Sequence, residues 1–150
     1  MMERLVSYLS RLRNRHFLAF DILVFLVTPA AALVLRTDEI SAIQVEFKSL
    51  LVVVLLFLVI KLAAFYLGGL YSRFWRYASI DELGRIGAVG ALLMLVQTGA
   101  LLLVLQPSGL VTNDFPRSLP FIDGLLAICF FAAARYSVRL SDHLLQPRRE

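Results

Sequence analysis

Four stretches of this chain, Phe17 to Leu35, Leu50 to Leu70, Ile86 to Leu105 and about Leu119 to Leu140, are apolar over the roughly 20 residues that an α-helix needs to cross a hydrocarbon core. A backbone in hydrocarbon must satisfy its own hydrogen bonds, so runs of this length are read as helices. Of the 150 residues, 59% are hydrophobic and 17% are charged, too apolar a balance for one soluble domain of this size. The expected fold is therefore an all-α membrane protein, a four-transmembrane-helix bundle over residues 17–140. A basic flank (1–16) precedes it and a tail or linker start (141–150) follows. Between the spans lie a polar segment from Arg36 to Ser49, an aromatic connector from Tyr71 to Leu83, and a turn from Gln106 to Arg117 bearing Pro, Gly and Asn.

Orientation follows from where lysine and arginine fall in the short flanks, since cytoplasmic loops carry the excess. One set of flanks holds Arg4, Arg11, Arg13, Arg15, Arg73, Arg76, Arg85, Arg135, Arg139, Arg148 and Arg149. The other holds only Arg36, Lys48 and Arg117, and its first loop adds Asp38, Glu39 and Glu46. Both termini and the aromatic connector are expected in the cytoplasm. A cleaved signal peptide, with Ala30, Ala31 and Ala32 as the cleavage site, is the competing reading of the N-terminus. Asp21 inside the apolar region, Pro29 beside the site and an apolar run continuing to Leu35 favour a retained span.

The connector carries Tyr71, Arg73, Phe74, Trp75, Arg76 and Tyr77, the composition of a membrane–water interface: rings at headgroup depth, guanidinium groups reaching phosphates. The net charge of +4 points to anionic lipid headgroups and away from nucleic acid, because the basic residues flank apolar segments. Ser79 and Glu82 fit a capping box, predicting a helix that starts at about Ile80, with Asp81 and Glu82 suited to its positive end. Further along, Gly84, Gly87, Ala88 and Ala91 form a small-residue face, expected to pack inside the bundle, with a dimer seam as the other reading.

An ionisable side chain in hydrocarbon costs roughly 2.5 to 3.5 kcal/mol on the insertion scale, so buried charges locate either chemistry or helix pairing. Three qualify. Lys61 lies near the middle of the second span, Asp21 about one turn inside the cytoplasmic end of the first, and Asp123 about one turn inside the outer end of the fourth. Depth favours a neutralising Asp21–Lys61 pair, with structural pairing preferred to a proton or substrate relay, which needs a continuous polar path. Asp123 reads as lying at the wrong depth to join it.

No catalytic signature stands out. His16 and His143 sit at the predicted cytoplasmic edge without zinc-site spacing. The only Gly-x-x-Gly-x-x-Gly run, Gly84 to Gly90, lies in an apolar helix and follows no strand, so it is no nucleotide fingerprint. The single cysteine, Cys129, cannot form an intrachain disulfide.

Several motifs occur in an order that resembles a known family. Arg13-Asn14-Arg15-His16-Phe17 leads into a span with an early acid, Asp21. Lys61 is followed by Phe65-Tyr66-Leu67-Gly68-Gly69-Leu70-Tyr71, then by Arg73-Phe74-Trp75-Arg76-Tyr77-Ala78-Ser79-Ile80-Asp81-Glu82-Leu83. Pro116-Arg117-Ser118 precedes Ile122-Asp123. This is similar to the N-terminal membrane region of CapD-type polysaccharide biosynthesis proteins, membrane-bound nucleotide-sugar 4,6-dehydratases and epimerases of capsule and cell-envelope assembly. The resemblance covers nearly the whole chain, and the tryptophan-bearing connector is its most specific part.

The resemblance implies a non-catalytic anchor in the bacterial inner membrane. In the family, a cytoplasmic Rossmann-type domain follows, binds NAD(P) and acts on a UDP-linked amino sugar. The residues to Glu150 offer no positions for its cofactor fingerprint or catalytic Tyr/Lys pair, so no catalytic, cofactor-binding or metal residue is assigned and NAD(P) is expected only in that further domain. The expected partners are the bilayer, its anionic headgroups and such a domain or subunit; a homo-oligomer stays open. Two alternatives also stay open: an autonomous four-span transporter or flippase subunit for lipid-linked sugars, and the membrane region of a polyprenyl-phosphate sugar-phosphate transferase.

Overall fold

The computed structural model describes residues 2–71 and 80–145, with side chains over 15–71 and 80–137. Among these residues every regular element is helical: α1 (Met2–Thr37), α2 (Ala42–Val45), α3 (Phe47–Leu67), α4 (Ile80–Ala100) and α5 (Leu119–Leu145). The last turn of α4 widens into a π-helix over Leu101–Leu105. Four of these helices are long and apolar enough to span a bilayer, over Arg15–Thr37, Phe47–Leu67, Ile80–Leu105 and Leu119–Ser137. The chain is a multi-pass membrane protein on that ground.

Local chemistry sets the helix ends. Asp38, at φ 58°, stops α1 in the left-handed conformation that Asp tolerates, and its amide donates back to the Val34 carbonyl. The second span ends at Leu67, three residues before the sequence expectation of Leu70. Gly69 takes φ 71°, its amide donates to the Tyr66 carbonyl, and the Leu70 amide donates to the Phe65 carbonyl. That pair of bonds is the Schellman arrangement, and Leu70 then folds back into the core with Phe65. The described part of α4 begins at Ile80, with Asp81 and Glu82 in its first turn. Its proposed cap residue Ser79 lies outside the described residues, as do Arg73, Phe74, Trp75, Arg76 and Tyr77 of the proposed interface anchor.

The four long helices form a ring in which α1 and α4 each lie against both α3 and α5. Helices α3 and α5 thus face each other across the bundle. Arg36 Nε donates to Ser118 Oγ at one end of the α1–α5 contact, and Arg135 meets Asp21 at the other. Over the 15 residues from Arg36 back to Asp21, the chain around α5 advances 17, from Ser118 to Arg135, which is an antiparallel register. The start of α1 and the end of α5 consequently lie at one end of the bundle.

Residues 106–118 are mostly exposed, but two of them are fixed in the bundle. Val111 and Phe115 are buried with Ala32, Leu33, Leu50, Val53 and Leu119 in one core cluster. Hydrogen bonds from the Thr112 amide to Ser49 Oγ and from Thr112 Oγ1 to Glu46 fix this segment against α3. The fourth long helix therefore starts already inside the protein.

The small-residue face of α4 packs elsewhere than expected. Gly84, Gly87, Ala88 and Ala91 are all exposed, and a Cβ added at Gly84 or Gly87 would meet nothing within 4 Å. Helices approach closely instead at Gly90, against Ile128, at Gly68, against Val89, and at Gly124, against Met94. The reason lies on the opposite stripe of α4, where Ile86, Gly90, Leu93 and Gln97 are buried. Its polar member, Gln97, must find a partner in the interior, and that requirement turns the Gly84 side outward.

Candidate functional site

Among the described residues two buried charge pairs lie in the interior. The first is centred on Lys61, whose side chain is fully buried. Its ammonium has three N–H donors and meets three acceptors: Asp123 Oδ1 at 2.6 Å, Thr28 Oγ1 at 2.8 Å and the Phe25 carbonyl at 3.2 Å. The third acceptor is available because of Pro29. A proline has no N–H, so the carbonyl four residues earlier, that of Phe25, loses its helical donor. Lys61 supplies the missing donor. On the far side, Asp123 Oδ2 accepts from Gln97 Nε2 at 2.8 Å, so α1, α3, α4 and α5 all contribute to one polar cluster.

The second pair is Asp21 with Arg135. The guanidinium donates from Nη1 to Oδ1 at 2.8 Å and from Nη2 to Oδ2 at 2.7 Å, the two-pronged geometry that matches a planar fork to a carboxylate. The guanidinium carbon also lies 4.0 Å from the Phe131 ring centroid and 4.9 Å from that of Phe17, within cation–π range. Tyr71 borders this cluster, edge-on to Phe131 with centroids 6.1 Å apart. Burial, and then the nearby Asp21 carboxylate, push its phenol above the ordinary range.

Between the clusters stands an aromatic wall. Phe25, Phe65 and Phe131 stack with centroid separations of 5.1 and 4.6 Å, and all three are buried. Lys61 Nζ rests 5.5 Å from the Phe25 ring on one side, and Arg135 lies against Phe131 on the other. These rings divide the two polar clusters.

The Asp21–Lys61 pairing expected from sequence depth is therefore replaced by a crossed arrangement: Lys61 with Asp123, Asp21 with Arg135. Two depth assignments cause the difference. Asp123 is fully buried one turn into α5, which begins among core residues at Leu119, so a place near the end of its span does not keep it from Lys61. Arg135, assigned to the cytoplasmic flank by charge counting, is only 5% exposed and belongs to the bundle interior. Gln97 and Thr28 were not singled out by sequence. A signal for the Lys61 cluster existed in Pro29, which frees a carbonyl one turn before it.

The other polar candidates among the described residues are Tyr71, His16 and Glu82. Tyr71 is half-buried and faces Phe131 and Arg135, while His16 is exposed. Glu82 lies in the first turn of α4. Among the described residues no group of three His, Cys, Asp or Glu side chains could hold a metal ion. What fold and site together define is a four-helix transmembrane bundle with crossed internal charge pairs. No protein family, curated protein or solved structure matches the chain.

Proposed function

We propose that this chain is a non-catalytic membrane anchor, the membrane region of a CapD-type polysaccharide biosynthesis protein, holding a cytoplasmic Rossmann-type domain against the bacterial inner membrane. The observation that carries the anchor reading is that each buried charge among the described residues is matched inside the bundle. Lys61 and Arg135 meet Asp123 and Asp21 at hydrogen-bond distance, and an aromatic wall parts the two clusters. A relay or transport path would need continuous polar lining, whereas paired charges behind rings fasten helices to one another. The order of motifs from Arg13 to Asp123 supports the family. The antiparallel register, which brings the start of α1 and the end of α5 to one end of the bundle, fits a bundle with both termini in the cytoplasm. Arginines near the surface would then add about 1 kcal/mol each of attraction to anionic headgroups. NAD(P) and the nucleotide sugar belong to the Rossmann-type domain, and this chain supplies its location.

The test is to read the gene beyond the codon for Glu150. An in-frame or adjacent strand-turn-helix with a Gly-x-Gly-x-x-Gly fingerprint supports the reading. A basic sugar-phosphate transferase domain there replaces it with a polyprenyl-phosphate transferase, and neither domain nearby favours an autonomous transporter or flippase subunit.

A further inference from the structure

Helix α5 is the least apolar of the four spans, and within its described part it alone carries two buried charges, Asp123 and Arg135. The two are 12 residues apart, about 18 Å along a helix, too far to neutralise each other; pairs on one helix need a spacing of about four residues. Asp123 is also fully buried among the helices. Both charges instead meet residues on helices that precede α5 in the chain: Lys61 of α3 and Gln97 of α4 for Asp123, and Asp21 of α1 for Arg135.

From this we infer that α5 is a conditional transmembrane segment, which enters and stays in the bilayer only against an already assembled α1, α3 and α4, with Lys61 and Asp21 as the sites that admit its two buried charges, Asp123 and Arg135. Helices α1 and α3 each bring a single buried acid or base within a more apolar span, so they can enter first. The 106–118 segment fits this order of events. Its buried Val111 and Phe115, and its bonds to Ser49 and Glu46, seat the start of α5 on α3. Insertion of α5 then decides on which side of the membrane the residues after Leu145 lie. Three spans leave the C-terminal end opposite the N-terminal end, and the fourth brings it back.

The experiment uses the full chain with a protease site appended after Glu150 and a second at the N-terminus, read in sealed membrane vesicles. In the native chain both sites lie on the same side. In K61M/D21N, which strands both α5 charges, the share of chains with the sites on opposite sides should rise about tenfold or more. In K61M/D21N/D123N/R135Q, where neither of the two buried charges is left to admit, that share should return to the native value. Unchanged topology in K61M/D21N would overturn the inference, because α5 would then insert on its apolar content alone. A fourfold variant as misplaced as the double one would overturn it too, since the loss would not come from charge.

Discussion

Replacing glycines along α4 one at a time with alanine separates the seam seen in the structure from the face that composition suggests. A Cβ on Gly90 would stand 2.0 Å from Ile128 Cδ1 and 2.8 Å from its Cγ1. Carbon atoms rest at about 3.5 to 4.0 Å, so the terminal methyl must retreat by about 1.5 Å. Because Cγ1 is close as well, rotating the terminal methyl alone is not enough, and α5 itself or the Ile128 rotamer must move. Overpacking of this kind costs about 1 to 3 kcal/mol, partly offset by the roughly 1 kcal/mol that alanine gains over glycine in a helix. Gly90→Ala should therefore destabilise by about 1 kcal/mol. Gly84→Ala and Gly87→Ala meet nothing within 4 Å and should be neutral or stabilising by up to about 1 kcal/mol. Reversible unfolding in mixed micelles with increasing SDS, followed by far-ultraviolet circular dichroism, reads all three. If Gly84→Ala or Gly87→Ala lowered stability as much as Gly90→Ala, the placement of the α4–α5 seam would be wrong.

Three further substitutions probe the interior by the same unfolding assay. Phe115→Ala should cost about 3 kcal/mol, the range of an aromatic core deletion, although the residue lies between helices; an effect near zero would mean that the 106–118 segment does not fold inward. Arg135→Lys keeps the charge but loses the two-pronged contact with Asp21 and the close guanidinium contact with the Phe131 ring, and a loss of about 1 to 3 kcal/mol is expected, against none if the charge alone mattered. Gln97→Leu removes the donor to Asp123 Oδ2 and should cost about 1 to 3 kcal/mol, an expense absent when Asp123→Asn accompanies it.

Much of the architecture is legible in the residues because a membrane span leaves a signal of its own. The four apolar runs and the buried status of Asp21, Lys61 and Asp123 follow from length and the cost of a charge in hydrocarbon. Their pairing was not legible, because it depends on the relative depth of helices. Pro107, Gly109, Asn113 and Pro116 read locally as an external turn, and nothing local says that Val111 and Phe115 carry that turn into the core. The fourth long helix begins at Leu119, as its apolar run indicates, but the run does not show that Asp123 meets Lys61 or that Arg135, counted with the cytoplasmic flank, is interior. The facing of α4 was hidden for a similar reason. Small residues mark where helices can approach, but the inward side was decided by Gln97, a single polar group whose partner lies on another helix. The clue that did exist, a proline leaving the Phe25 carbonyl without its helical donor, becomes meaningful only when a donor such as Lys61 is in reach.

The central claim, that crossed charge pairs hold the helices together, is tested most directly by two double-mutant cycles on the same lysine. One cycle combines Lys61→Met with Asp123→Asn, the other combines Lys61→Met with Asp21→Asn, and unfolding free energy is measured for every member. Residues in contact give interaction energies of about 0.5 to 3 kcal/mol, whereas separate sites add to within about 0.5 kcal/mol. The account predicts strong coupling between Lys61 and Asp123 and additivity between Lys61 and Asp21. Coupling of Lys61 to Asp21, with additivity toward Asp123, would contradict it.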